Sequence, residues 1–204
     1  GQSLLPRENY GLKVMSMGFL VPEDSPVIWR GPMVMGALEQ MMRDVRWGDV
    51  DIMLIDMPPG TGDTQLTMCQ RVPLTGAVIV STPQDIALLD ARKGLNMFRK
   101  VEVPVLGIIE NMSTYVCPKC GHEEHIFGHG GAKAEAERLQ AEFLGVIPLD
   151  SAIRETSDRG EPITVVKPGS PHAKAYRAIA ERLWAKVQES QNGGGRQGPR
   201  IKMF

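Results

Sequence analysis

The sequence predicts an α/β fold: a doubly wound, mainly parallel sheet with helices on both faces. Three observations lead there. Short, nearly all-apolar runs recur near 13–20, 50–56, 76–80, 105–110 and 144–148, the pattern of strands buried on both sides. Stretches of helical period separate most of them. Strand and helix alternate through most of the chain, which calls for crossover connections and therefore for parallel pairing.

In order, residues 12–20 alternate apolar with small or polar side chains and read as a strand, and 22–26 is a loop between two prolines. Trp29-Arg30-Gly31-Pro32 leads into a helix over about 33–46, because proline is favoured at a first helical position. Met35, Leu38, Met41, Met42 and Val45 fall on one stripe of it. The run 50–56 is a short buried strand, and 64–71 is a helix carrying Cys69. A strand at 76–80 turns through Ser-Thr-Pro-Gln-Asp into a helix over 85–100, and a further strand begins at 105 and closes at 110–113. Residues 114–130 break the rhythm. A helix over 132–143, a strand at 145–148, a brief helix at 151–159 and an amphipathic helix at 171–189 complete the domain. A single domain is expected over 1–190, and the glycine-rich 191–204 reads as a flexible tail.

Lys and Arg total 23 against 24 Asp and Glu, so the charge balance singles out neither nucleic acid nor a membrane surface as a partner. No apolar run approaches the ~20 residues that span a bilayer. Three cysteines, two of them in one C-x-x-C, suit a reducing, cytoplasmic compartment better than a disulfide framework. The chain opens Gly1-Gln2-Ser3, without an initiator Met or an obvious first strand, which is the pattern expected of a fragment.

Two stretches carry candidate chemistry. In V-D-I-M-L-I-D-M-P-P-G-T-G-D, residues 50–63, the strand delivers the carboxylate of Asp56 to its carboxyl end, where open α/β sheets bind ligands. Pro58 and Pro59 end the ladder, and Gly60 and Gly62 give the next loop backbone freedom. Nucleotide hydrolases place a Mg²⁺-holding acid at such a point. A helix-capping role for Asp56 fits the local pattern equally. Asn111 closes the strand at 105–110 in the same manner. Its amide could read a base edge, or simply form a turn.

Cys117 and Cys120 lie in a loop, and two thiolates at that spacing hold one metal ion or one edge of an iron–sulfur cluster. Four ligands are needed. Either a second copy of the chain donates its own pair, or His125 and His129 complete a local zinc site in the spacing C-x2-C-x4-H-x3-H. A redox pair normally opens a helix, and this one is followed by Gly-His-Glu-Glu.

W-R-G-P-M at 29–33, L-I-D-M-P-P-G-T-G-D at 54–63, S-T-P-Q-D at 81–85, G-I-I-E-N-M-S at 107–113, C-P-K-C-G-H at 117–122, I-F-G-H-G-G at 126–131 and V-I-P-L-D at 146–150 together resemble the Mrp/ApbC family. These are iron–sulfur cluster carriers of the MinD-like branch of P-loop NTPases. The resemblance runs from about residue 11 to about 185. It implies a homodimer that binds ATP and Mg²⁺, holds a [4Fe–4S] cluster between two C-x-x-C pairs, and passes it to apo iron–sulfur proteins. It assigns Asp56 to the Mg²⁺ site, Gly60 to the phosphate-sensing switch, Asn111 to adenine, and Cys117 and Cys120 to the cluster. It also demotes the zinc module. A MinD-like positioning ATPase fits less well, because no basic amphipathic anchor follows the terminal helix. The family's phosphate loop has no counterpart, since no G-x-x-x-x-G-K-[ST] occurs in these 204 residues. This piece alone is therefore expected neither to bind ATP tightly nor to hydrolyse it.

Overall fold

A computed structural model describes residues 3–20, 31–58, 60 and 62–192. The loop expected at 22–26, Arg30 and most of the predicted tail lie outside the described residues. The described residues fall into two compact units, one ending at Arg71 and one beginning at Val72.

The second unit holds the parallel sheet. Strands β3 (Ala77–Ser81) and β6 (Phe143–Leu149) flank the long central β4 (Val105–Val116), and both run parallel to it. Along β4 the neighbours Ile108 and Ile109 are both buried. Successive side chains of a strand point to opposite faces, so both faces of the sheet are covered. On one face Ile109, Leu144 and Ile147 pack with Ile179 of the terminal helix α7 (Pro171–Asn192). On the other, Ile79 meets Gly94 of helix α3 (Asp85–Lys100). Helix α4 (Gly131–Arg138) lies beside α3, and Glu135 joins the two. Its carboxylate accepts from Arg92 Nε at 2.8 Å and from Arg138 Nη2 at 2.6 Å. Short helices α5 (Ser151–Asp158) and α6 (Ile163–Val166) link β6 to α7. Asp150 caps α5, its Oδ1 accepting from Ala152 N at 2.7 Å.

The doubly wound α/β class holds, and the predicted strands at 76–80, 105–110 and 145–148 and helices at 85–100 and 171–189 appear within a few residues of their expected bounds. The strand from 105 continues six residues past 110, and the helix expected over 132–143 ends at Arg138.

The first unit departs further. The strand expected over 12–20 shrinks to β2 (Leu12–Val14), paired antiparallel with β1 (Arg7–Asn9). Tyr10 and Gly11 between them have φ of 51° and 74°, the geometry of a two-residue hairpin turn. A 3-10 turn, Met17–Phe19, follows, with the Ser16 hydroxyl accepting from Gly18 N at 3.2 Å. Helices α1 (Gly31–Arg43) and α2 (Asp63–Arg71) pack on each other.

The strand expected at 50–56 does not form. No ladder among the described residues includes it, and Leu54 is 85% exposed, with Val50, Ile52 and Met53 exposed as well. Apolar content patterns a segment for burial in a sheet, but a strand exists only through its neighbours' N–H and C=O groups. Among the described residues nothing supplies them here.

Candidate functional site

Past its parallel pairing with β3, β4 runs on into a hairpin on the same sheet. Its last residues pair antiparallel with β5 (Glu123–Glu124), Tyr115 against Glu124 and Val116 against Glu123. The tip of that hairpin is the cysteine turn. Cys117 N donates to His122 O at 2.8 Å, and Gly121 N returns to Cys117 O at 2.8 Å. Gly121, at φ 73°, takes the left-handed conformation that closes the turn, where a side chain would be strained. Cys120 is exposed and Cys117 half-buried. The backbone N–H of Cys120, then that of Lys119, then the Cys120 side chain are directed at Cys117 and hold its thiol below the ordinary cysteine range. Thiolate character in an accessible turn is what a metal or cluster ligand requires. Cys69, by contrast, is buried, and desolvation pushes its thiol up.

The histidines do not join the cysteines. His125 Nδ1 lies 3.3 Å from Ser113 O and 3.3 Å from His129 Nδ1, with the two rings edge-on at 4.1 Å. One ring must carry the N–H and the other the lone pair, so the pair satisfies itself. Among the described residues no group of three or more His, Cys, Asp or Glu is placed to hold a metal ion. The local zinc module of Cys117, Cys120, His125 and His129 is therefore not supported. The β5 pairing keeps the cysteines at the tip, while His125 folds back on the strand.

Asn111 lies on the same strand as the cysteine hairpin, opposite Ile147 at the register break of the parallel ladder. Its Oδ1 accepts from Met112 N at 3.0 Å. Asp56 and Gly60 belong to the unit ending at Arg71. Asp56 is exposed at the end of the unpaired 50–56 segment, and Gly60 has φ 103°, which favours glycine. Pro58 O accepts from the buried Gln65 side chain at 3.3 Å, which ties this loop to α2.

Sequence reasoning missed Glu110. It is buried, and its Oε2 accepts from Ala132 N at 2.9 Å. Helix α4 begins after Gly130 without a side-chain cap of its own, so a carboxylate from the sheet satisfies its first turn. An acid inside an apolar strand was the available signal. A cavity of about 450 Å³ lies at the opposite end of the sheet, lined by Arg99, Glu102, Pro104, Val105 and Gln140, and contains none of the predicted site residues.

Residues 1–184 match the family model described as ParA, NUBPL iron-transfer P-loop NTPase. The chain belongs to that family. Among curated relatives, the iron-sulfur cluster transfer protein NUBPL of Dictyostelium discoideum is 57% identical over 189 residues, covering 93% of this chain and 58% of that protein. The iron-sulfur cluster carrier protein of Escherichia coli K12 is 50% identical, over 92% of this chain and 51% of the relative. The chain thus spans little more than half the length of these relatives. A nucleotide-binding protein from Archaeoglobus fulgidus, solved in complex with ADP, aligns with a TM-score of 0.66 at 37% identity, over 84% of this chain and 65% of its own. The Pyrococcus furiosus cell division ATPase MinD aligns at 0.54 and 23% identity over 76% of this chain and 59% of its own, a likeness of fold alone. Among the described residues of this family member no helix is long and apolar enough to cross a membrane.

Proposed function

We propose that this chain is the cysteine-bearing part of an iron–sulfur cluster carrier. Two copies each contribute Cys117 and Cys120 to a [4Fe–4S] cluster on a two-fold axis, and the assembled cluster is handed to apo iron–sulfur proteins. The observation that carries this is the hairpin turn: two accessible thiols, backbone N–H groups directed at one of them, and no third ligand placed beside them among the described residues. The curated relatives, named as cluster transfer and cluster carrier proteins, support the same reading.

Transfer is ligand exchange without redox change. A recipient thiol loses its proton and binds iron, one Cys117 or Cys120 thiolate leaves and takes up a proton, and the iron and sulfide pass over intact after four such exchanges. Nucleotide binding belongs to the whole protein. In it Asp56 would hold Mg²⁺, the Gly60 loop would meet the terminal phosphate, and Asn111 would read adenine. ATP bound there would supply the free energy that opens and closes the dimer. The phosphate cradle is not among these 204 residues, so this chain alone neither binds ATP tightly nor turns it over. We place the protein in a reducing compartment such as the cytoplasm, with no nucleic acid and no membrane as partner.

Anaerobic reconstitution with iron and sulfide tests the reading. A dimer with absorbance near 400 nm, about the region of thiolate-bound clusters, and four irons per two chains is expected. Cys117→Ser and Cys120→Ser should each abolish it. A cluster retained by the double variant overturns the assignment.

A further inference from the structure

Strand β4 is continuous in sequence but jointed in its ladder. Asn111 pairs with Ile147 of β6, and the next pair is Tyr115 with Leu149, so three residues of β4 stand against Pro148 alone. Proline has no N–H to give, and the ladder cannot continue across it. The gap is filled locally. The buried Ser113 donates its hydroxyl to Ile147 O at 3.2 Å. Met112 takes φ 53°, a left-handed conformation unusual for its side chain, and its N–H donates to Asn111 Oδ1 at 3.0 Å. Beyond this joint Tyr115 pairs with Leu149 of β6 on one side and Glu124 of β5 on the other, and the cysteine turn follows.

Asn111 therefore stands between two demands. A side-chain amide that reads an adenine edge offers its carbonyl to the exocyclic amine and its NH₂ to a ring nitrogen. In the present arrangement the Asn111 carbonyl is turned along its own strand onto Met112 N–H. Turning the amide so that its carbonyl and NH₂ both face a base edge swings Oδ1 off Met112 N–H and loosens the tether on the left-handed Met112.

We propose that Asn111 is a positioning residue for the cysteine hairpin: its carbonyl passes between Met112 N–H and a purine amine, and the β4 joint, with Cys117 and Cys120 beyond it, changes conformation accordingly. This rests on the reading of Asn111 as the adenine contact. By linkage the effect is reciprocal, so a cluster held at the hairpin alters affinity for the base by the same factor that the base alters affinity for the cluster.

Amide hydrogen exchange on the 204-residue chain tests the joint without any ligand. Asn111→Ala should raise exchange from Met112 to His122 by about tenfold while the sheet amides of β3 and β6 stay protected, since a segment opens locally according to the bonds that hold it closed. Asn111→Asp keeps the acceptor and should exchange as wild type. Adding Met112→Gly to Asn111→Ala should bring the hairpin part-way back, because glycine takes a positive φ without the strain of a side chain although the lost acceptor stays lost. Wild-type exchange throughout the hairpin of Asn111→Ala overturns the proposal. A second arm uses saturating adenosine, which needs no phosphate cradle. It should expose the Met112 amide in wild type and bind more weakly to Asn111→Ala. Weaker binding to the variant with the wild-type Met112 amide unmoved overturns the switch and leaves the base contact standing. Adenosine that binds the variant as tightly as wild type overturns the base contact itself and the switch with it, while the first arm still reports on the joint.

Discussion

Gly131 presses against Pro83 so closely that a Cβ built on it would stand 2.6 Å from the Pro83 carbonyl oxygen and 2.9 Å from Leu88 Cδ1. The turn after β3 and the start of α4 are thus in contact through backbone, at the carboxyl end of the sheet. Backbone does not give way as the end of a flexible side chain does. Gly131→Ala should destabilise the chain by about 1–3 kcal/mol, the usual range for overpacking. A shift of the urea midpoint at unchanged slope measures it, and a wild-type midpoint would show that the two segments separate freely.

The motif S-T-P-Q-D and the motif I-F-G-H-G-G are distant in sequence, and nothing in either announces that they touch. What could be read was local: apolar runs became β3, β4 and β6 because their pattern and their neighbours agree. The run 50–56 had the same pattern, yet pattern cannot report whether a partner strand is present. Its exposed side chains show where sequence reasoning stops. The cysteine pair was legible from spacing alone. The zinc alternative stays open on spacing alone, because spacing is silent on whether an imidazole turns toward a thiol or toward a strand carbonyl, as His125 does. The Met112 joint left only the faint mark of Pro148 in the facing strand.

Helix α4 ends on a residue that ought to be glycine. Gln140 has φ 52°, its N–H donates to Glu137 O at 3.1 Å, and Ala141 N donates to Ala136 O at 2.9 Å. These are the paired bonds of a Schellman ending, in which the left-handed position strains any side chain. Gln140→Gly should therefore raise stability by roughly 0.5–1 kcal/mol, the relief of strain exceeding the entropy that glycine adds to the unfolded chain. Thermal or urea unfolding checks it, and a loss of stability would mean that the Gln140 side chain makes a compensating contact.

Glu135 gives the fold an acid limit. Hydrogen bonds from Arg92, then Arg138, hold its carboxyl down at about 2, against an ordinary value of 4.5. A depressed carboxyl contributes stability that is complete above the unfolded-state value and lost as pH falls toward the folded one. The loss belongs between about pH 4.5 and pH 2. With solvent screening of a cluster whose two arginines are partly exposed, it should amount to roughly 1–2 kcal/mol. Glu135→Gln should remove that much at pH 7 and flatten the acid limb of the stability curve. An unchanged acid limb in the variant would assign the acid sensitivity to other carboxylates.

Leu54 and Leu144 make opposite predictions from the same side chain. Leu144 is fully buried between β4 and α7, and Leu144→Ala should cost about 2–5 kcal/mol in transfer and cavity terms. Leu54 is 85% exposed on the unpaired segment, so Leu54→Lys should change unfolding stability by less than about 0.5 kcal/mol. The charge would instead act between molecules. A row of exposed apolar side chains with free backbone groups invites edge pairing, and a lysine within it opposes that. Leu54→Lys should reduce self-association in sedimentation while leaving the urea midpoint in place. A destabilisation above about 1 kcal/mol would mean that 50–56 finds a partner strand in solution, as its apolar pattern demands.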